Sequence, residues 1–546
     1  STLNFAERTT RFYEEGIETA LMLFKLNQDK SYLWKAFTLS DNRRYGLLLE
    51  ELQQVRKRTY SNVPAEITRQ EQNLTSTINF IQHQLIELKA QSPEEKNVAQ
   101  IHALEDKIYH LKADYATLAK AVEIQYPSYY QLKFSDENLS VENLSASLNK
   151  GDLLLEYFIG TRSLYLFIIS SETLNFLEIP KEDHFSNTIQ GFLESVRNRD
   201  FKTYTTAAYT LYRQFLKPAL EDEKLAGKSS HHLIIIPDGE MGYIPFETLI
   251  QRPPAPGQGY KDLDYLLKDH LISYHYSASL LAFKTPTQSQ DAQKSFIGFA
   301  PTYNNQRDNP VITNNSARGF TPKFAALDHT KDEVRSIASL MKGEARTGQD
   351  ASEYNFKKFS SDYTIVHLAA HSFVEDDEPL LSRLIFDTSR DTVDDGFLHT
   401  YELYNMQLKA DLACLSACNT GTGKLYQAEG IMSLGRGFAY AGVPNLLISL
   451  WAVPDRSTKD LMTSFYVNMQ GNRNYAEPLR MAKLQYLQEG DNITAAPYYW
   501  SGFVFIGQPH RDKSLSIGVI LIISVLSVTV LVFFVHKRKV KMNTGQ

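Results

Sequence analysis

With 546 residues and a formal net charge of −6, the chain is long enough for more than one domain and too acidic for a general nucleic-acid binder. Its only cysteines, Cys414 and Cys418, exclude a disulfide framework. Four residues apart on one strand, they would sit about 13 Å apart at roughly 3.3 Å per residue, beyond disulfide reach. No Cys/His cluster has metal-ligand spacing, so neither a metal nor another cofactor is expected.

The chain opens on Ser1-Thr-Leu-Asn-Phe5 without Met, which reads as a processed product or fragment with a signal or further repeats upstream. Residues 1–60 have a helical pattern, with Phe12, Gly16, Ala20 and Leu23 at helical spacing. The segment resembles the last pair of a tetratricopeptide array, or else forms a helical cap on the next domain. Over 64–125, Leu74, Ile78, Ile81, Leu85 and Leu88 alternate steps of four and three, as do Ile101, Leu104, Ile108, Leu111, Tyr115 and Leu118. An antiparallel coiled-coil hairpin is expected there, as a rigid arm or a surface for a protein partner.

From residue 150 the pattern changes to strands. Leu153–Ile159, Leu164–Ile169 and Thr173–Ile179 read as a meander, His232–Ile236 and Ser295–Ala300 as buried strands, and 304–322 as a loop. Helices over Asp332–Met341 and Tyr354–Phe359 then lead to Thr364-Ile-Val-His-Leu-Ala-Ala-His371-Ser372. A second apolar run, Asp411-Leu-Ala-Cys-Leu-Ser-Ala-Cys418, precedes Asn-Thr-Gly-Thr-Gly423. Both read as buried strands of a parallel sheet, and ligand crevices in such sheets open outside the strands' carboxyl ends.

An imidazole and a thiol at two neighbouring strand ends form a nucleophilic pair. The free thiol, with a pKa of about 8.5, is a weak nucleophile until a base removes its proton or an imidazolium stabilises the thiolate. Within the strands, His367 and Cys414 read as packed core residues, and His329 and His399 as surface residues. Gly421-Thr-Gly423-Lys424 fails as a phosphate loop because Leu425 replaces the Ser or Thr.

Leu515–Val535 is an uncharged run of 21 residues, long enough to cross a bilayer of about 30 Å. A transmembrane helix at 514–536 followed by a basic tail at 537–546 is therefore expected. The charge of His536-Lys-Arg-Lys-Val-Lys541 puts the tail in the cytoplasm and the preceding domain outside it. The competing topology is a cytoplasmic protein with a tail anchor.

These motifs resemble the CHAT-domain family, caspase-like cysteine peptidases associated with tetratricopeptide repeats. Beyond the His371 and Cys418 segments, the likeness covers His232–Gly239, Tyr243–Glu247, Glu429–Phe438 and Ser449–Asp455, in family order. Caspases also keep their His roughly 50 residues before the Cys. The resemblance implies an α/β caspase-like fold over 150–508: a non-catalytic lobe at 150–300 and a catalytic lobe at 325–508, each with a mostly parallel sheet and flanking helices. It makes His371 the general base and Cys418 the nucleophile, with the backbone N–H groups of Ser372 and Cys418 as the oxyanion hole. Relatives commonly have Gly where this chain has Ser372, and a strained φ there would cost more without it. Glu375, Asp376, Asp377, Trp451 and Asp455 are candidates for the substrate pocket.

The expected activity is thus a membrane-anchored cysteine endopeptidase acting on protein or peptide substrates and regulated through its helical N-terminus. The alternatives are a non-catalytic interaction scaffold on the same fold and a thiol-dependent acyl transferase.

Overall fold

In the computed structural model, the described residues are 2–43, 98–125, 140–221 except 183, 232–282, 294–303, 327, 329–373, 381–416 except 390, 392 and 405, 429–507 except 452 and 471–473, and seven positions between 74 and 88. Cys418, Glu375, Asp376, Asp377, the loop expected at 304–322, the span at 514–536 and the basic tail lie outside them.

The expected meander is present: β1 (Asp152–Ile159), β2 (Ser163–Ile169) and β3 (Leu174–Pro180) pair antiparallel in sequence order. Next come β4 (His232–Ile236), β5 (Leu271–Tyr274), β6 (Lys294–Ala300), β7 (Glu344–Thr347) and β8 (Tyr363–Leu368). A short three-stranded sheet follows, of β9 (Ser372–Phe373), β10 (Arg383–Ile385) and β11 (Phe397–His399). The chain then returns to the main sheet with β12 (Leu412–Leu415), β13 (Asn445–Ser449) and β14 (Phe503–Ile506).

All the main strands belong to one eleven-stranded sheet, ordered β3-β2-β1-β4-β5-β14-β13-β12-β8-β6-β7. Parallel pairing links β1, β4, β5 and β14, and separately β13, β12, β8, β6 and β7. The two blocks meet antiparallel at β13–β14, so they point in opposite directions. Interior strands of the parallel blocks are covered on both faces, which is why β4, β12 and β13 are buried at every residue and read as unbroken apolar runs.

Alternation along β1 divides the first half between two layers. Leu153, Leu155 and Tyr157 share a core with Phe192 of α4 (Phe185–Asn198) and Tyr204 of α5 (Phe201–Leu211). Leu154 and Phe158 face the N-terminal helices α1 (Thr2–Asn27) and α2 (30–43), packing with Ile17, Leu21, Leu33 and Phe37. Each such buried side chain stabilises by about 1.5–3 kcal/mol.

The packed face of α1 differs from the periodicity reading, because Phe12 is 71% exposed and the buried stripe centres on Ile17 and Leu21. Polar contacts set that rotation. Glu14, buried, accepts the backbone N–H of Thr161 at 2.9 Å and its hydroxyl, in the β1–β2 turn. Gly160 in that turn has no room for a Cβ beside the Glu14 carboxylate. On α2, Ser40 donates to Glu156 at 2.6 Å, Arg43 pairs with Asp238, and Asp41 accepts the N–H groups of Ala278 and Ser279 at 2.7 and 3.1 Å. The helical pair is thus a fixed cover on the first half-sheet.

The second segment of the expected hairpin is a helix, α3 (Val98–Gln125), and seven positions between 74 and 88 are described before it. Ile78, Ile81 and Ile108 are buried, while Leu104, Leu111 and Leu118 are half-buried.

In the second half, α6 (Thr330–Met341) lies against β6, where a Cβ on Gly298 would come within 2.6 Å of Val334. Helices α7 (Asp455–Met469) and α8 (Ala476–Glu489) pack on each other, and α8 reaches across to the first half. There Lys483 pairs with Glu247, both buried, and Glu247 also accepts the Tyr274 hydroxyl at 2.6 Å.

Candidate active site

Strands β6, β8, β12 and β13 end at one edge of the sheet. Their in-register pairs are Phe299↔Leu368, Leu368↔Leu415 and Leu415↔Ile448. The backbone stays coupled just past those ends, where Ala369 N–H donates to Phe299 O at 2.9 Å and Ser416 N–H to Leu368 O at 2.9 Å. His371 lies three residues past the end of β8. The last described residue after β12 is Ser416, so Cys418 itself lies outside the described residues.

His371 is 5% exposed and held from two sides. Its carbonyl accepts the Ile385 N–H at 2.9 Å, anchoring it to β10. Its own N–H donates to Tyr303 Oη at 2.9 Å, and that hydroxyl donates to Ile385 O at 2.8 Å. The Tyr303 hydroxyl therefore bridges the position where a second direct ladder bond would form. The Tyr303 and His371 rings meet at 4.6 Å between centroids, inclined by 47°. Burial holds the Tyr303 phenol far above its ordinary pKa, so it stays a neutral donor.

Ser372 begins β9 opposite Leu384. Hydrogen-bonded and non-bonded pairs alternate in an antiparallel ladder, and His371–Ile385 carries a bond. The Ser372 N–H therefore points away from β10. Ser372 is absent from the non-glycine residues with positive φ, so it occupies extended backbone without the strain that a Gly would relieve. Among the described residues, the buried hydroxyls of Ser372, Ser416 and Ser449 have no hydrogen-bond partner. Ser416 follows β12, Ser449 ends β13 and Ser372 begins β9.

Of the pocket candidates, Trp451 and Asp455 are among the described residues. Trp451 is 5% exposed, donates its indole N–H to Tyr498 O at 3.0 Å and packs on Gly502, so its ring belongs to the interior. Asp455 begins α7.

One layer below, His367 and Cys414 are register partners on β8 and β12. His367 Nε2 lies 3.0 Å from Glu333 of α6, and Nδ1 lies 3.0 Å from Tyr466 Oη of α7. His367 and Glu333 are 0% and 1% exposed at their side chains. Cys414 is buried, 3.7 Å from Met462. His367 is thus a packed histidine, but one that ties both helices to β8, the strand that leads into His371. His399, expected at the surface, is half-buried and caps the turn Thr400–Leu403 through its backbone and Glu402.

A second His-centred constellation sits in the first half. His232 Nδ1 lies 3.1 Å from Asp152 and Nε2 2.8 Å from Ser273 Oγ, the contact order of a serine-hydrolase triad. Ser273 is 0% exposed within β5, and Asp152 also accepts the Asn149 N–H at 2.7 Å. These contacts stitch β1, β4 and β5 and leave the serine no access to a substrate. Among the described residues no group of three or more His, Cys, Asp or Glu could hold a metal ion.

Comparison with known proteins adds the following. Tetratricopeptide repeat protein 28 from Mus musculus is 27% identical over 115 residues, 21% of this chain and 5% of that protein. The Homo sapiens protein of the same name is also 27% identical over 115 residues, 4% of its length. The chain therefore spans only a small part of these relatives. Among solved structures, the Saccharomyces cerevisiae separase–securin complex covers 88% of this chain and 41% of its own at 10% identity, with a TM-score of 0.41. The Arg-specific cysteine proteinase gingipain R covers 56% and 67% at 10% identity, with a TM-score of 0.31. With both scores below 0.5, these likenesses carry no weight for function. The CHAT domain profile matches residues 205–508, more than half of the 546 and spanning every element of the candidate site. The chain belongs to the CHAT domain family.

Proposed function

We propose that the protein is a membrane-anchored, caspase-like cysteine endopeptidase with Cys418 as nucleophile and His371 as general base. One observation carries the reading: His371 and Cys418 each follow by three residues the paired ends, Leu368 and Leu415, of adjacent parallel strands. Neighbouring strands run about 4.8 Å apart, and the equal offsets in the sequence support a pairing of the two residues. In the proposed reaction His371 takes the Cys418 proton as sulfur attacks the peptide carbonyl, and returns it to the leaving amine. Water then hydrolyses the thioester. The outward-pointing Ser372 N–H supports its role as an oxyanion donor beside that of Cys418.

The burial of His371 supports a resting form whose cleft opens on activation. The fixed α1–α2 cover supports activation through the N-terminal helices by a protein partner. Membrane anchoring rests on the uncharged run 515–535 and the basic tail after it. Among the described residues no helix is long and apolar enough to cross a membrane. The orientation that goes with this reading has the peptidase domain outside the cytoplasm.

Incubating the full chain with a peptide library and with peptidyl acyloxymethyl ketones tests the activity. Cleavage and covalent capture that both vanish in Cys418→Ala support the peptidase. Neither, with or without candidate activating partners, would favour the scaffold reading. Transfer to an added amine in place of water would make it a transferase.

A further inference from the structure

We propose that Tyr303 is a positioning residue for His371, setting the imidazole's orientation through its ring and the loop's register through its hydroxyl. The inference rests on His371 acting as the base of Cys418. Tyr303 stands three residues beyond the end of β6, the neighbour of β8, at the same offset from its strand as His371. Its hydroxyl joins three chain segments: it accepts from His371 N–H, donates to Ile385 O, and is carried by the β6 extension. Without it, the His371 N–H and the Ile385 C=O would face each other across a gap that a direct ladder bond does not close. The Tyr303 ring beside the imidazole, 4.6 Å away between centroids, limits its rotation. Asp387, just past β10, is the charged group that acts on the Tyr303 phenol.

Hydroxyl and ring are separable. Tyr303→Phe keeps the ring and removes the bridge, whereas Tyr303→Leu removes both. In the full chain, the rate of Cys418 alkylation by iodoacetamide is followed from pH 5 to 9, with sites assigned by fragment mass spectrometry, beside a His371→Ala reference. The expected order of rates at pH 6.5 is parent, then Tyr303→Phe lower by about five- to a hundredfold, the worth of the two hydrogen bonds its hydroxyl makes. Tyr303→Leu approaches the His371→Ala profile. Thermal melting of each variant identifies a general loss of fold, and Tyr303→Phe, which changes no packing volume, then decides.

A second readout is independent of the thiol. With 13C-labelled histidine, the imidazole resonances of His371, assigned through His371→Gln, should shift in Tyr303→Leu as the ring current is lost and move little in Tyr303→Phe. Parental alkylation profiles in both variants, or an unmoved His371 resonance in Tyr303→Leu, would overturn the positioning role. An ordinary thiol profile in the parent together with a moved resonance would reject the dyad and leave Tyr303's hold on the ring intact.

Discussion

The buried pair Lys483–Glu247 joins α8 of the second half to the first half, and its energetics follow from its surroundings. Both side chains are almost fully buried, at 1% and 5% exposure. Burial pulls the Lys483 pKa down, while the Glu247 carboxylate works against that shift. Glu247 has one further partner among the described contacts, the Tyr274 hydroxyl, which also accepts the Phe246 N–H at 2.7 Å. Replacing Lys483 with Met preserves length and packing but leaves a carboxylate buried with a single donor. Breaking one member of such a pair costs about 3–5 kcal/mol, whereas removing both charges is often close to neutral. Lys483→Met should therefore lower the urea midpoint by an amount equivalent to about 3–5 kcal/mol at unchanged slope. Lys483→Met with Glu247→Gln should recover most of the loss. The single variant's deficit should also be larger at pH 8 than at pH 5. An unpartnered buried acid keeps its proton longer when folded, so stability falls as pH rises through that raised pKa. A single-variant cost below about 1 kcal/mol, or a double variant no better than the single, would refute the reasoning.

Other expectations concern separate parts of the molecule. Burial, against the opposing pull of Lys357, raises the Glu353 pKa to about 7 from 4.5. Stability should fall between those values at up to about 1.4 kcal/mol per pH unit, and Glu353→Gln should flatten that limb of the urea midpoint against pH. Asp41→Ala removes a charged acceptor from two backbone N–H groups and should cost about 1.5–3 kcal/mol. The same change should make 28–43 more sensitive to limited proteolysis, and equal cleavage rates in parent and variant would count against the fixed cover. Because the proposed role of Ser372 is a backbone N–H in extended conformation, Ser372→Ala should leave turnover unchanged within about twofold. Ser372→Pro, which lacks the N–H, should lower turnover by about 100-fold or more, as measured by initial rates on a cleaved peptide.

Much of this architecture was legible because its signals are local. Unbroken apolar runs such as Leu233–Ile236 and Leu412–Leu415, bounded by small or polar residues, fit strands covered on both faces, and both are such strands. The abrupt stop before His371 marked the end of β8 on the same grounds. What escaped the sequence is non-local. The pairing of β14 with β5, which makes one sheet of the two halves, joins residues more than 200 positions apart and leaves no trace in any single window. The rotation of α1 away from its Phe12 face follows from Glu14 meeting a turn near residue 160, which periodicity does not encode. The small sheet of β9, β10 and β11 is built from segments of two or three residues, too short to show alternation. Tyr303 carried one usable signal, an aromatic residue three positions past a buried strand, but its partner 68 residues later appears only once β6 and β8 are paired.

The central claim is that His371 and Cys418 work as a pair, and the pH dependence of Cys418 reactivity tests it without knowledge of the substrate. Alkylation should be followed in the parent and in His371→Ala, with Cys414, buried beside Met462, as the internal unreactive control. The account predicts that Cys418 reacts at least one pH unit below the ordinary thiol range of about 8.5, and that His371→Ala restores ordinary behaviour. A parent whose Cys418 titrates as an ordinary thiol, unchanged by the loss of His371 with or without activating partners, would contradict it.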